Sequence, residues 1–330
     1  MKFMQSEQAP NGLVTFLESI TFGTDGLRYQ RLDVARQMQR LNHPVFFSAW
    51  SGTDLVGSYI LDRRNLMVHH QPMQGYYRGA LAVHPSWQGK AIATKLTGKA
   101  MRWQEEQSAS SLSYGCIDKE NLRSLKVLSK HGAEFVAHLN MLMLYRQWPR
   151  KQLELVPLDD QLKNNEDQLS AQTHKDCSVR DITVHANPGY ALTDHEGIAI
   201  SARVALTAFR IMSMSRFAIW STRLFVTPWP PARRRFNPNH FSYLSLSNVL
   251  IRKGCESKWP AFVSTIMASH NVHFAAVYLD SGSSLFQTLR ASQPLGRLRR
   301  NSKGNIHIVA TFNGDSVKSG APWHVWPVDA

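Results

Sequence analysis

Residues 78–96, RGALAVHPSWQGKAIATKL, constrain the fold of this chain more than any other part of its sequence. The apolar run 80–83 predicts a short buried strand, which Pro85 ends. Small residues then alternate with larger ones, and apolar residues follow at helical spacing. A turn of small residues at the start of a helix predicts an anion site, because the first helical amides have no partner within the helix and lie at its positive end.

The predicted contacts in this stretch come mainly from the backbone, since small side chains let amide groups approach a phosphate closely. Lys90 and Lys95 add positive charge. The predicted ligand-binding residues are Leu81, Ala82, Val83, Gln88, Gly89, Lys90, Ala91, Ile92, Ala93 and Thr94.

The pattern Gln88-x-x-Ala91-x-Ala93 resembles motif A of the GNAT superfamily of acyl-CoA-dependent N-acyltransferases. In that family a Gln/Arg-x-x-Gly-x-Gly/Ala loop holds the pyrophosphate of coenzyme A. Ala91 stands where the family usually has glycine. The resemblance implies acetyl-CoA as the cofactor, bound by main-chain amides of this loop.

A second segment resembles motif B of the same family. Residues 112–117 predict a strand, and Asn121 is the predicted cap of a helix that ends near Gly132. The resemblance implies that this asparagine faces the pantetheine arm, and Ser124 is predicted to contact the cofactor beside it. Leu128 occupies the position at which many members carry a tyrosine that protonates the departing thiolate, so that role cannot be assigned there.

Direct attack by a neutral amine on the thioester is the mechanism that the resemblance implies, and it requires a proton acceptor. Acidic and histidine side chains on elements bordering the cleft in the family are Glu18, Asp62, His84, Asp118 and Glu120. Substitute proton donors are Tyr76, Tyr77, Tyr114 and Cys116. The sequence does not choose among them, and the catalytic candidates retained are Glu18, Asp62, Tyr114, Cys116 and Glu120.

The rest of the first 150 residues supports the same order of elements. A strand at 1–5, helices at 12–22 and 30–41, a hairpin from 46 to 61 and a late strand at 141–145 are predicted. The fold class is therefore α/β (α+β), with a mixed, mostly antiparallel GNAT-type sheet flanked by helices.

The remaining chain repeats this order weakly, which predicts a duplicated fold. We predict a catalytic acyl-CoA-binding domain at 1–150, a linker at 151–180 and a degenerate GNAT-like domain at 181–330. The predicted equivalents in the second half are strands at 243–251, 274–279 and 306–312 and helices at 259–268 and 284–289. Within residues 252–258, Gly254 is the only small residue of the kind that exposes backbone to a phosphate, and the carboxylate of Glu256 would repel one. A second acyl-CoA site is therefore the disfavoured alternative.

A net charge of +14 raises the question of nucleic-acid binding. Basic clusters occur at 233–235 and 297–303. The excess is shared by both halves and no helix-turn-helix, finger or aromatic RNA motif accompanies it, so attraction for coenzyme A is the preferred interpretation.

Three scattered cysteines predict no disulfide framework and favour a cytoplasmic location. No apolar run reaches membrane-spanning length, and no metal motif is found, so neither a membrane span nor a metal is predicted. The predicted function is transfer of an acetyl group to a primary amine of a small molecule or peptide, with a homodimer left open. A non-catalytic acyl-CoA-binding scaffold is the main alternative, and a basic nucleic-acid binder the lesser one.

Overall fold

The computed structural model describes residues 1–24, 27–108, 110–183, 187–214, 236–291, 300–301, 306–313 and 322–325. Its helices are α1 Leu13–Ser19, α2 Val34–Met38, α3 Ile92–Gln107, α4 Leu122–Ser129, α5 Lys163–Thr173, α6 Trp259–Ser269 and α7 Ser284–Ala291. Its strands are β1 Lys2–Ser6, β2 Phe22–Thr24, β3 Leu27–Arg31, β4 Pro44–Ser51, β5 Asp54–Val68, β6 Gln71–Val83, β7 Ser111–Asp118, β8 Glu134–Tyr145, β9 Val156–Pro157, β10 Val179–Asp181, β11 Gly189–Asp194, β12 Gly197–Met214, β13 Phe241–Ile251, β14 Phe274–Asp280, β15 Arg300–Asn301, β16 Ile306–Asn313 and β17 Trp323–His324.

One continuous sheet runs through both halves of the chain. Its main order is β1-β4-β5-β6-β7-β16-β8-β14-β13-β12-β11-β9, and along this order the pairs β6–β7 and β13–β14 are parallel while the others are antiparallel. Helix α3 packs on β4, β5 and β6, and α6 on the strands of the second half. The predicted α/β class with a mixed, mostly antiparallel sheet and flanking helices is confirmed.

The first parallel pair opens into a cleft at its carboxyl ends. β6 pairs with β7 only over Gly75–Arg78, opposite Leu112–Gly115. Just beyond, β6 carries a bulge with one extra residue, and Ala80 there has a φ of 49°. A bulge bends its strand and ends regular pairing. The two strands therefore diverge, and we call the space between 79–83 and 116–118 the first cleft.

The second parallel pair repeats this geometry. β13 pairs with β14 only over Leu244–Leu246. Asn248 lies two residues beyond the last of these pairs, in a bulge against β12, and has a φ of 46°. Ala80 likewise lies two residues beyond Arg78, the last residue of β6 that pairs with β7. We call the space between 247–251 and 278–280 the second cleft.

The turns that follow the two clefts also match. Asp118 Oδ1 accepts the amide of Glu120 at 2.9 Å, and Asp280 Oδ1 accepts the amide of Gly282 at 2.8 Å. Asn121 caps α4, and Ser283 accepts the amide three residues later at the start of α7. The same bulge, divergence, turn and cap thus occur in each half in the same order.

The last long strands of the halves are exchanged. β8, from the first half, pairs with β14, while β16, from the second half, pairs with β7. The two exchanged strands also pair with each other. The chain boundary predicted near residue 150 therefore divides a sheet that both halves build.

Two sequence expectations differ from the structure. The helix predicted over 30–41 is only Val34–Met38, because Gln30 and Arg31 belong to β3, which pairs with the far end of β12. The segment 151–180, predicted as a linker, contains α5 and strands that join the sheet. Within the described ranges, no helix is long and apolar enough to cross a membrane. The basic cluster at 233–235 and residues 297, 299 and 303 of the other lie outside the described residues.

Candidate functional site

The loop between β6 and α3 turns sharply to bring a helix N-terminus to the mouth of the first cleft. The imidazole of His84 caps the turn Pro85–Trp87 by accepting the amide of Ser86 at 3.3 Å. Gly89 and Ala91 then adopt left-handed backbone, with φ of 79° and 57°. A Cβ placed on Gly89 would meet nothing within 4 Å, so the loop is open on that side.

Ala91 is the N-cap residue of α3, and its methyl group cannot accept a hydrogen bond from the helix. The first intrahelical bond runs from the amide of Lys95 to the carbonyl of Ala91, at 3.0 Å. The amides of 91–94 therefore have no partner within the helix. Left-handed backbone costs a non-glycine residue about 1 kcal/mol, so the substitution of alanine for glycine preserves the loop conformation at a modest cost.

Positive side chains flank these amides. Lys90 Nζ lies 4.1 Å from the centroid of the Trp87 ring. Arg123, on the opposite wall, donates from Nη1 to Gln88 Oε1 at 3.3 Å, and Gln88 Nε2 donates to the carbonyl of Val83 at 3.4 Å. Arg123 is not among the cofactor residues predicted from the sequence. Its position in the first turn of the helix that Asn121 caps is the feature that could have indicated it.

The second wall is the end of β7 and the start of α4. Asn121 Oδ1 accepts the amide of Ser124 at 3.1 Å. This contact uses the oxygen of the side chain, and its amide nitrogen has no partner among the described residues. Asn121 is half-buried, so that nitrogen can donate toward the cleft.

The predicted cofactor residues divide by what they can offer. Leu81 and Val83 are half-buried, and Gly89, Lys90 and Ala91 are exposed. Ile92 is buried between α3 and the sheet, and Ala82 packs against α1. These two contribute backbone groups alone, while the loop contributes both amides and charge.

Two of the catalytic candidates lie in a buried ionic network. Asp62 is 1% exposed and its Oδ2 is 2.6 Å from Arg64 Nη2. Tyr114 is fully buried and donates to Asp181 Oδ2 at 2.7 Å, and that oxygen also lies 3.3 Å from Arg64 Nη1. Burial and the charge of Asp181 raise the pKa of Tyr114 well above its usual value. Asp62 and Asp181 compensate the charge of the buried Arg64 guanidinium, and removal of either would leave that charge poorly compensated.

The other candidates lie nearer the walls of the first cleft. Cys116 is the first residue of β7 beyond its pairing with β6 and is half-buried. Glu120 is exposed in the turn before Asn121, and Glu18 is half-buried on α1. Leu128 is 4% exposed and packs against Ile117 and Val309, so an apolar side chain fills the position of the family's tyrosine.

Comparison with known families agrees with this geometry. The model of the Acetyltransferase (GNAT) family matches residues 14–133, a range that contains the loop, both walls of the first cleft and α4. Residues 14–133 form a GNAT acetyltransferase domain. The resemblance inferred from the two motifs is therefore confirmed. A search of curated protein sequences finds no match to the chain.

Solved structures extend the likeness in fold beyond the GNAT domain. Saccharomyces cerevisiae N-myristoyltransferase with bound myristoyl-CoA superposes with a TM-score of 0.64 at 9% identity, over 96% of this chain and 84% of that chain. A probable N-acyltransferase from Enterococcus faecalis V583 gives a TM-score of 0.51 at 11% identity, over 94% of this chain and 73% of that one. A GCN5-related N-acetyltransferase from Anabaena variabilis gives a TM-score of 0.51 at 11% identity, over 94% of this chain and 72% of that one. At these identities the likeness shows a shared fold.

The corresponding loop of the second half is built differently. The amide of Trp259 donates to the carbonyl of Glu256, and that of Lys258 to Cys255, within a turn that leads directly into α6. Pro260 has no amide hydrogen. At the start of α6, two of the amides equivalent to those of α3 are thus bonded, those of Lys258 and Trp259, and a third is absent at Pro260.

Proposed function

We propose that this protein transfers an acetyl group from acetyl-CoA to a primary amine of a small molecule or peptide, in the first cleft. The observation that carries the proposal is the divergence of β6 and β7 beside a helix N-terminus whose amides have no partner within the helix. An extended thioester-bearing arm fits between two strands whose facing backbone groups no longer pair. A diphosphate fits the amides of 91–94 and the charges of Lys90 and Arg123.

The residues of the chain provide binding and orientation in this proposal. Acetyl-CoA, when bound, supplies an activated acyl carbonyl. Backbone amides of 79–83 that face the cleft polarise that carbonyl, and Asn121 donates its free amide hydrogens to the arm. Holding both reactants between two rigid strands is the main source of acceleration in such a reaction.

Proton removal from the amine falls to solvent-accessible groups rather than to the buried network. Glu120 is exposed and Glu18 half-buried, and we propose that one of them accepts the proton through an intervening water molecule. Asp62 and Tyr114 are engaged by Arg64 and Asp181 and are proposed here as structural groups.

We further propose that the chain arose as a tandem GNAT duplication whose second half has lost cofactor binding. The repeated bulge, divergence and cap support the duplication, and the bonded amides and Pro260 support the loss. The three free cysteines support a reducing cytoplasm as its compartment.

Leu128 favours one alternative, an acyl-CoA-binding protein without turnover. No hydroxyl is present at that position to protonate the thiolate. Binding of the cofactor is common to both functions, while release of free thiol in the presence of amines occurs only in the enzyme.

The test combines binding and turnover in a matched pair of variants. Ala91→Glu places a carboxylate among the amides of the first loop, and we expect its acetyl-CoA affinity to fall about a hundredfold or more, the equivalent of losing about two charge-assisted hydrogen bonds. Ala261→Glu places the same charge in the first turn of α6 and should leave affinity unchanged.

Calorimetric titration measures affinity, and a thiol reagent measures coenzyme A released with a panel of amines. Unchanged affinity of Ala91→Glu would contradict the proposed site. Tight binding without thiol release from any amine would favour the scaffold.

A further inference from the structure

The second cleft is filled by a segment of the chain itself. On its β13 wall, Glu166 Oε1 accepts from Asn248 Nδ2 at 2.9 Å. Glu166 Oε2 accepts from Arg203 Nη2 of the neighbouring strand β12, also at 2.9 Å. Thr173 Oγ1 donates to the carbonyl of Ile251 at 3.4 Å. His174 forms a hydrogen bond with the backbone of Val249. Three of these contacts are to the bulged stretch 248–251.

The same segment reaches the opposite wall. Asp176 Oδ2 accepts the amide of Ser284 at 2.7 Å, and that amide is the first of α7. Leu169 is buried with Leu250 and Ile198. Side chains of 166–176 therefore contact the bulged end of β13 on one side of the second cleft and the start of α7 on the other.

Beyond the second cleft the segment continues into the first half. β10 pairs with the far part of β5, and Asp181 lies opposite Leu66. Its carboxylate accepts from Tyr114, which is paired with Tyr77 in the short stretch where β6 and β7 still run side by side. Asp181 thus contacts β7 through Tyr114 and β5 through Arg64, the two strands on either side of β6, beside the short stretch where all three still run together.

We propose that residues 162–181 form an internal strap that occupies the second cleft in place of a ligand and, through Asp181, holds together the strands whose divergence forms the first cleft. The strap is a property of this chain that stands whether or not the first cleft is catalytic. It makes the closed second half a support for the open first one.

Cys177 provides a direct probe of the seated strap. It is 5% exposed, and burial together with Asp176 raises the pKa of its thiol to about 12. In the native chain it should react slowly with a thiol reagent. Glu166→Ala removes the acceptor for both Asn248 and Arg203, and we expect labelling of Cys177 to become about tenfold faster or more, because hydrogen bonds to a charged group are lost.

The matched control is Asp167→Ala, which removes an exposed carboxylate from the same helix. It should label at the native rate. Glu166→Gln keeps an acceptor for Asn248 but removes the charge opposite Arg203, and we expect an intermediate rate. If Glu166→Ala does not fold, faster labelling of Cys177 in Glu166→Gln than in the native chain tests the same contact.

Amide hydrogen exchange on the same full-length proteins tests the link to the first cleft. Peptides covering 112–117 should exchange faster in the Glu166 variants than in the native chain, while those of the β4–β5 turn should not. A native labelling rate at Cys177 in these variants would overturn the seating of the strap. Faster labelling with unchanged exchange at 112–117 would overturn its connection to the first cleft. Neither readout needs a cofactor, so a failure of the proposed function is recognised separately.

Discussion

The two clefts have the same backbone geometry, but the polar groups at the first cleft are left open, while those at the second are bonded by the chain itself. In the first, Ala80 forms the bulge, and the helix that follows begins with amides that have no partner within it. In the second, Asn248 forms the bulge, and the strap bonds its side chain and the backbone of 249 and 251. The start of α6 has bonded amides and a proline.

The difference teaches that divergence of two parallel strands does not by itself make a binding site. Strand divergence frees backbone donors and acceptors, and buried ones must find partners. A ligand can supply those partners, as we propose for the first cleft, or the chain can supply them, as it does in the second.

The largest expected effect comes from cutting the strap where it meets the first half. Asp181→Ala leaves Arg64, which is fully buried, without one of its two carboxylates and removes the acceptor for Tyr114. Loss of one partner of a buried ion pair costs about 3–5 kcal/mol, so the free energy of unfolding in urea should fall by about that amount. Asp167→Ala is the control. A loss below about 1 kcal/mol would show that the network adds little to the support of the first cleft.

A smaller effect should appear as a pH dependence confined to the strap. Burial, followed by the charge of Arg180, lowers the pKa of His174 from 6.5 to about 3. Burial is also the main cause that lowers the pKa of His324, whose ring stacks on that of His174. The unfolded chain therefore binds protons below pH 6.5 that the folded chain does not.

Stability from His174 should be complete above pH 6.5 and fall by up to about 1.4 kcal/mol for each pH unit as the pH drops toward 3. His174→Gln should lessen this slope in urea unfolding measured between pH 7 and 4, while His195→Gln, at an exposed side chain, should not change it. An identical slope in His174→Gln would place the acid sensitivity elsewhere.

The sequence predicted the features of the two clefts that are local and missed those that depend on distant partners. The loop at 88–93 and the Asn121 cap could be recognised because a few adjacent residues determine them. Gln30 and Arg31 were assigned to a helix because their spacing is helical, yet their strand exists through pairing with Phe209 and Arg210 of β12.

The strap shows the same limit more clearly. Its composition is polar and typical of a linker, and within the helix Lys163–Thr173 only Glu166 and Leu169 are buried. The groups that bond Glu166 are Arg203 and Asn248, far away in sequence, so nothing near Glu166 predicted its burial. Exchange of β8 and β16 between the halves was invisible for the same reason.

The smallest and sharpest comparison uses the two equivalent helix caps. Asn121→Ala and Ser283→Ala each remove a side-chain acceptor from a helix start, and each should lower the free energy of unfolding by about 1 kcal/mol. Of the two capping residues, Asn121 alone has an amide nitrogen, which lies beside the first cleft without a partner among the described residues. Its variant should therefore also weaken acetyl-CoA binding, by about fivefold for one neutral hydrogen bond, while Ser283→Ala should not.

Asn121→Asp separates the two roles, since it keeps an acceptor for the amide of Ser124 and loses the donor. It should retain stability while binding as weakly as Asn121→Ala. Equal affinities in Asn121→Ala and Ser283→Ala would mean that the two caps are both structural, and the distinction between the open and the closed cleft would then rest on the phosphate loop alone.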